Sequence, residues 1–248
     1  MPYMFTVSPD FSPDHLSGWY IFNTWLQRTL QETIHLEMYN DFKSQRAAIQ
    51  NDQIDLIYAN PFDAAMLVRE KGFLPLVKPE GISDEAIIAV NVENHINDLL
   101  QFKPGLRVGF TEDPDVHMMG MIMLEPADLD SGNISLTTYD SYVLVAKHLL
   151  NKNIDAGIFL AEAYDDLSNI IKNQMKILVR SQISVIHHAL MIGPKWLNKQ
   201  KDLQNVLTNM TADLKGKGVI TSLGFTGWTI VDEEEMEFMI DLMDTLTF

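Results

Sequence analysis

The sequence has no cysteine, few basic residues and no long uninterrupted apolar run. Without cysteine there is no disulfide, no thiol nucleophile and no thiolate metal ligand. Lys and Arg number 18 against 34 Asp and Glu, a formal net charge of -16. Binding to a phosphate backbone depends on Lys and Arg, and no basic stripe is present, so nucleic acid is not an expected partner. The apolar runs fall short of the ~20 residues that a membrane helix needs, so no membrane insertion is expected. Also missing are Gly-x-Ser-x-Gly, His-Glu-x-x-His and a glycine-rich phosphate loop. No nucleophile-base constellation carries an enzymatic reading, and no cofactor is expected. Met1-Pro2-Tyr3 leads straight into a strand-like segment, with neither a basic n-region nor an apolar h-region. A secretory signal would show both, so the chain is either cytoplasmic or had its signal removed.

What is present is a globular composition: 248 residues, 46% hydrophobic and 21% charged, enough for a substantial core in one large or two modest domains. The stretch from Leu106 to Ala127 organises the reading. A short apolar strand breaks at Thr111-Glu112-Asp113-Pro114-Asp115 and runs into a helix beginning Val116-His117-Met118-Met119-Gly120. Such a turn aims free backbone N–H groups and the positive end of a helix at a ligand.

The same device recurs along the chain. Met4 to Val7 reads as a strand, and Ser12-Pro13-Asp14 as the start of a helix to about Glu32. A strand follows from His35 to Tyr39, a helix opens at Asp41-Phe42, a strand runs from Ile54 to Tyr58, and Asn60-Pro61 starts a helix to Lys71. Strands at Leu74 to Val77 and Glu85 to Val90 come next, then a second α/β unit. In that unit we expect a helix over 94–101, strands at 107–110, 134–138, 154–159 and 175–179, and a helix capped by Asp140 or Ser141. Val185 to Ile192 reads as a returning strand, which would set His187 and His188 on opposite faces. Helices near 202–215 and 219–223 and a last one from Asp232 to about Leu246 complete the chain. The fold class is therefore α/β, with parallel strands covered by helices.

Ligands of such sheets bind at the carboxyl ends of the strands. The candidate ligand residues are accordingly Asp10 and Phe11, Phe42, Tyr58 and Asn60 in the first unit, and Thr111, Asp115, His117, Met118, Met119, Tyr139 and Asp140 in the second, with His187 on the returning strand. Asp115 is expected to cap its helix, Tyr58, Tyr139 and Phe11 to form aromatic walls, and Met118 or Met119 to line an apolar pocket.

The order of segments resembles the phosphonate/phosphite-type substrate-binding proteins of ABC transporters, of the type 2 periplasmic-binding-protein fold. The resemblance runs over nearly the whole chain. It is carried by Asp41-Phe42 with Ala47-Ala48-Ile49, by Gln53-Ile54-Asp55-Leu56-Ile57-Tyr58-Ala59-Asn60-Pro61, by Asp113-Pro114, by Asn153-Ile154-Asp155-Ala156-Gly157, and by Leu223-Gly224-Phe225-Thr226-Gly227-Trp228. It implies two α/β lobes, 1–90 with 186–248 and 91–185, joined by a hinge of two crossings and closing on a small ligand. It also implies a periplasmic location if a signal was removed. The departures fall at the family's binding positions. Phe42 stands where a Tyr is usual. Asp115-Val116-His117-Met118-Met119-Gly120 replaces a Ser/Thr-rich run, Thr138-Tyr139-Asp140 a Ser-His-Asp, and His187-His188 an Asn-Asp.

The reading is a non-enzymatic solute-binding protein for a small ligand other than phosphonate. Its partner would be an ABC permease or, for an intracellular protein, a signalling protein. The alternative is an enzyme or copper-type metal-handling protein that uses His117 with neighbouring Asp and Met, since thioether and imidazole suit soft metals.

Overall fold

The computed structural model describes residues 2–244. In chain order the first elements are β1 (Tyr3–Val7), α1 (Leu16–Leu30), β2 (Ile34–Met38), α2 (Phe42–Gln50), β3 (Leu56–Ala59), α3 (Pro61–Lys71), β4 (Leu74–Pro79) and β5 (Ala86–Asn91). Then come β6 (Arg107–Phe110), α4 (Pro114–Leu124), β7 (Ser135–Thr138), α5 (Tyr142–Leu150), β8 (Ala156–Leu160), α6 (Ala161–Asp165), α7 (Asn169–Lys172) and β9 (Met175–Arg180). The chain ends with β10 (Ala189–Ile192), α8 (Gln200–Thr208), α9 (Leu214–Ser222), β11 (Trp228–Ile230) and α10 (Glu233–Asp244). These form two compact units, residues 1–83 with 187–248 and residues 84–186.

Unit 1 is built on a six-stranded sheet in the order β11-β4-β10-β3-β1-β2. β1 runs parallel to β2 and β3, whereas β10 returns antiparallel between β3 and β4. One core gathers Phe5, Trp19, Phe22, Tyr58, Trp196 and Trp228, with Phe11 packed against it. The helix starts follow from local chemistry. Asp41 accepts from the Ser44 amide and Asn60 from the Asp63 amide, which satisfies donors that a helix leaves open at its first turn. Pro13, by contrast, opens a 3-10 turn over Pro13–His15 before α1 begins. Gly18 lets α1 touch α9, because a Cβ there would stand 2.1 Å from the Ser222 carbonyl oxygen.

Unit 2 carries a five-stranded sheet, β7-β6-β8-β5-β9. β6 pairs in parallel with β7 and β8, and β5 is antiparallel to β8 and β9. α4 lies on β5 and β8, where a Cβ at Gly120 would come within 2.5 Å of Ile158.

Several expectations are corrected. The first unit ends at Ser83, ahead of the expected bound at residue 90, because β5 belongs to the second sheet and its residues Ala86 to Val90 are wholly buried there. Residues 94–98 are not helical. The Asn94 side chain accepts from the Ile96 amide, an Asx turn that competes with helix, and only Leu99–Gln101 coils, as a 3-10 turn capped by Asp98. The returning strand is shorter than 185–192. The segment before it gives its backbone to a carboxylate, Glu85 accepting from Ile183 N at 3.1 Å and Ser184 N at 2.8 Å, with Ser184 in the left-handed region at φ 59. The helix expected over 202–215 is interrupted after Thr208, and Asp213 starts α9 afresh by accepting from Lys215 and Gly216 amides. Trp228–Ile230, not anticipated as a strand, forms the sheet edge β11. The part of the last helix expected beyond Asp244, including Leu246, lies outside the described residues.

Candidate functional site

In unit 1 the ends of β1 and β3 are held by a side-chain network. Asn60 donates to Ser8 Oγ at 3.1 Å and to Asp63 Oδ2 at 2.8 Å, and Asp63 Oδ1 accepts from Arg46 Nε at 2.6 Å. The Arg46 guanidinium lies over the rings of Phe42 at 5.1 Å and Phe62 at 5.0 Å. Gln45 ties α2 to the end of β1 through Thr6 Oγ1 and the Val7 carbonyl. Asn60 and Phe42 are thereby engaged in building the strand ends.

Beside this network, Asp10 Oδ2 meets His188 Nε2 at 3.1 Å, and Tyr58 stacks on the His188 ring at 5.2 Å between centroids. Burial raises the Asp10 carboxyl, but the charge and hydrogen bond of His188, with help from Ser8, outweigh it and leave its pKa below the ordinary 3.8. His187 turns elsewhere. Its Nε2 lies 3.3 Å from Glu235 on α10, which also pairs with Lys78. The two histidines do diverge, though they precede β10 rather than lying on a strand, and it is His188 that joins Asp10 and Tyr58.

In unit 2 the N-cap of α4 is Asp113 and not Asp115, which sits one residue past Pro114 in the first turn. Asp113 makes no capping hydrogen bond with its side chain; its Oδ2 accepts from the Tyr142 hydroxyl at 2.8 Å. Both carboxylates are buried, Asp113 at 4% and Asp115 at 1% exposure. Burial, with the charges of Asp113 and Asp115, pushes the Tyr142 hydroxyl well above its ordinary 10.0, so it stays a proton donor. Thr111 lies in the turn between β6 and α4. His117 stacks on Phe110 with centroids 4.1 Å apart, its Nε2 buried without a hydrogen-bond partner.

Burial lowers the His117 pKa from 6.5. The unfolded chain therefore takes up a proton below pH 6.5 that the folded chain resists, and stability falls as pH drops through that value. Urea unfolding of wild type and His117→Phe at about pH 7.5 and about pH 5.5 checks this. The wild type is expected to lose more stability between the two than the variant, and equal losses would refute the assignment.

Met118 and Met119 are interior, with the Ser181 hydroxyl 3.9 Å from Met119 Sδ, so they serve as packing beside α4. Tyr139 stacks on His148 at 4.3 Å and packs against the unit 2 core, while Asp140 is exposed and Ser141 caps α5. Sequence reasoning missed Tyr142 and chose His187 where the structure engages His188. Tyr142 and His188 each act through a partner far away in the chain, 29 and 178 residues respectively, and no local spacing carries that signal.

The model of the family described as ABC transporter, phosphonate, periplasmic substrate-binding protein matches residues 5–236. No curated protein matches the chain by sequence. Among solved structures, PhnD1 from Prochlorococcus marinus in complex with methylphosphonate superposes with a TM-score of 0.82 at 12% identity, covering 99% of this chain and 98% of that one. XAC2383 from Xanthomonas citri bound to ATP gives 0.81 at 15% identity over 99% and 98% of the two chains. The aliphatic sulphonate binding protein SsuA from Escherichia coli gives 0.71 at 13% identity over 99% and 86%. At such identities the likeness is one of fold, the type 2 periplasmic-binding-protein fold.

Proposed function

The chain belongs to the phosphonate-type periplasmic substrate-binding family of ABC transporters, and we propose that its own ligand is a small solute with a positively charged, hydrogen-donating group in place of a phosphonate. The family role is non-enzymatic: capture of a small ligand and its delivery to an ABC permease. The ligand class rests on one observation, the pair of buried carboxylates Asp113 and Asp115 in the first turn of α4. A helix start at the carboxyl end of a parallel strand is an oxyanion site by default, through its free N–H groups and positive end. Here that end carries two carboxyl side chains of its own. A phosphonate oxygen about 4 Å from one carboxylate would be repelled by about 4 kcal/mol at an effective dielectric of about 20. That exceeds what one helix terminus supplies, about 0.3 to 2 kcal/mol. An ammonium or guanidinium group reverses the sign of the larger effect.

The test is isothermal titration of the purified protein, stripped of carried-over ligand, with ethanolamine, putrescine, arginine and methylphosphonate. Binding is expected from at least one amine with Kd below about 100 μM and none from methylphosphonate at about 1 mM. Tight methylphosphonate binding would overturn the ligand class and leave the solute-binding role standing. Failure of every small solute, across a wider set of anions as well, would count against the role itself.

A further inference from the structure

α1 and α9 of unit 1 run antiparallel and touch where Gly18 meets Ser222. Toward the other end of the pair they line an open groove of about 880 Å³, with Tyr20, Ile21 and Trp25 on one wall and Leu214 and Val219 on the other. The walls are apolar, yet Tyr20, Ile21 and Leu214 are exposed, Leu214 to 89%. Trp25 is fixed by stacking on Phe22 in the core, so the groove has a rigid side. Its charge is also unlike the rest of the chain. Arg28 and Lys215 line it, and neither makes an ion pair among the described residues, although the chain holds 34 acidic residues against 18 basic ones. Asp213, the acidic residue of the lining, has one carboxylate oxygen committed to the start of α9, Oδ1 accepting from Lys215 N at 2.7 Å and Gly216 N at 2.9 Å.

We propose that this groove docks an acidic amphipathic helix of a partner protein. A concave apolar trough between two antiparallel helices takes a third helix by ridge-into-groove packing, at an axial separation of about 8 to 10 Å. Apolar residues at i, i+3, i+4 and i+7 would cover Tyr20, Ile21, Trp25 and Leu214, and flanking carboxylates would meet Arg28 and Lys215.

The test uses the intact protein and a blocked helical peptide of about 20 residues, Leu on one face and Glu on both flanks, alongside a version with Lys in place of Glu. Titration followed by tryptophan fluorescence and calorimetry is expected to give a Kd of about 10 to 100 μM for the Glu peptide and at least tenfold weaker binding for the Lys peptide. Leu214→Asp, and separately Arg28→Gln with Lys215→Gln, are expected to weaken the Glu peptide about tenfold or more without changing the thermal midpoint, because all three residues are exposed. Absence of binding, equal binding of the two peptides, or indifference to these substitutions overturns the proposal. So would concentration-dependent dimerisation abolished by Leu214→Asp, or binding to vesicles of anionic lipid, either of which assigns the groove to another occupant.

Discussion

Asp63→Ala is expected to cost about 3 kcal/mol of unfolding free energy, at the low end for breaking a buried pair because the Arg46 side chain keeps 31% exposure. Asp63 itself has no exposure, and its two oxygens serve Arg46 and Asn60. Removing it leaves a guanidinium between two aromatic rings without its counter-ion, and frees the Asn60 amide that reaches Ser8 at the end of β1. Urea unfolding measures the loss. The double variant Arg46→Met with Asp63→Ala is expected to lose less than the sum of the single changes, by about 1 kcal/mol or more, since the second change removes the stranded charge. A loss below about 1 kcal/mol for Asp63→Ala, or strict additivity, would show that the strand ends do not depend on this pair.

Asp115→Asn is expected to weaken the amine ligand by about 30- to 150-fold, the equivalent of about 2 to 3 kcal/mol for truncating one side of a buried charge pair. The change keeps the shape of the side chain at a position 1% exposed, so the thermal midpoint without ligand serves as the control for folding. Asp113→Asn tells a different story. Asp113 accepts the Tyr142 hydroxyl, and its loss is expected to show in the tyrosine titration as well as in binding. Asp115→Ser goes further by adding a hydroxyl donor where a carboxylate stood, and is expected to gain measurable affinity for methylphosphonate. Unchanged amine affinity in Asp115→Asn, or unchanged rejection of phosphonate in Asp115→Ser, would place the discrimination elsewhere.

The pattern of local signals explains which parts of this molecule could be read in advance. Asp41 before Phe42 and Asn60 before Pro61 cap their helices through contacts three residues away, and Arg107–Phe110 is a strand whose bounds follow from its flanking turns. Period and capping act over a single turn, so they survive in a linear reading. The 94–98 stretch was expected to be helical, while Asn94 had a competing use for its side chain. The returning strand was expected from Val185, but only Ala189–Ile192 pairs, and the amides of Ile183 and Ser184 just ahead of it go to Glu85, nearly a hundred residues earlier.

The candidate residues divide in the same way. The acidic turn from Thr111 to Asp115 was visible as a helix start at a strand end, and the family resemblance pointed to the departures within it. What Asp113 bonds to, that His188 rather than His187 meets Asp10, and that Met118 and Met119 face inward were decided by packing. The sequence by itself determined the α/β alternation, the family and the acidic character of the strand ends, because those depend on residue type and short-range order. Only the tertiary structure decided which side chains are partners and which are filling, because that depends on strands and helices brought together from distant parts of the chain.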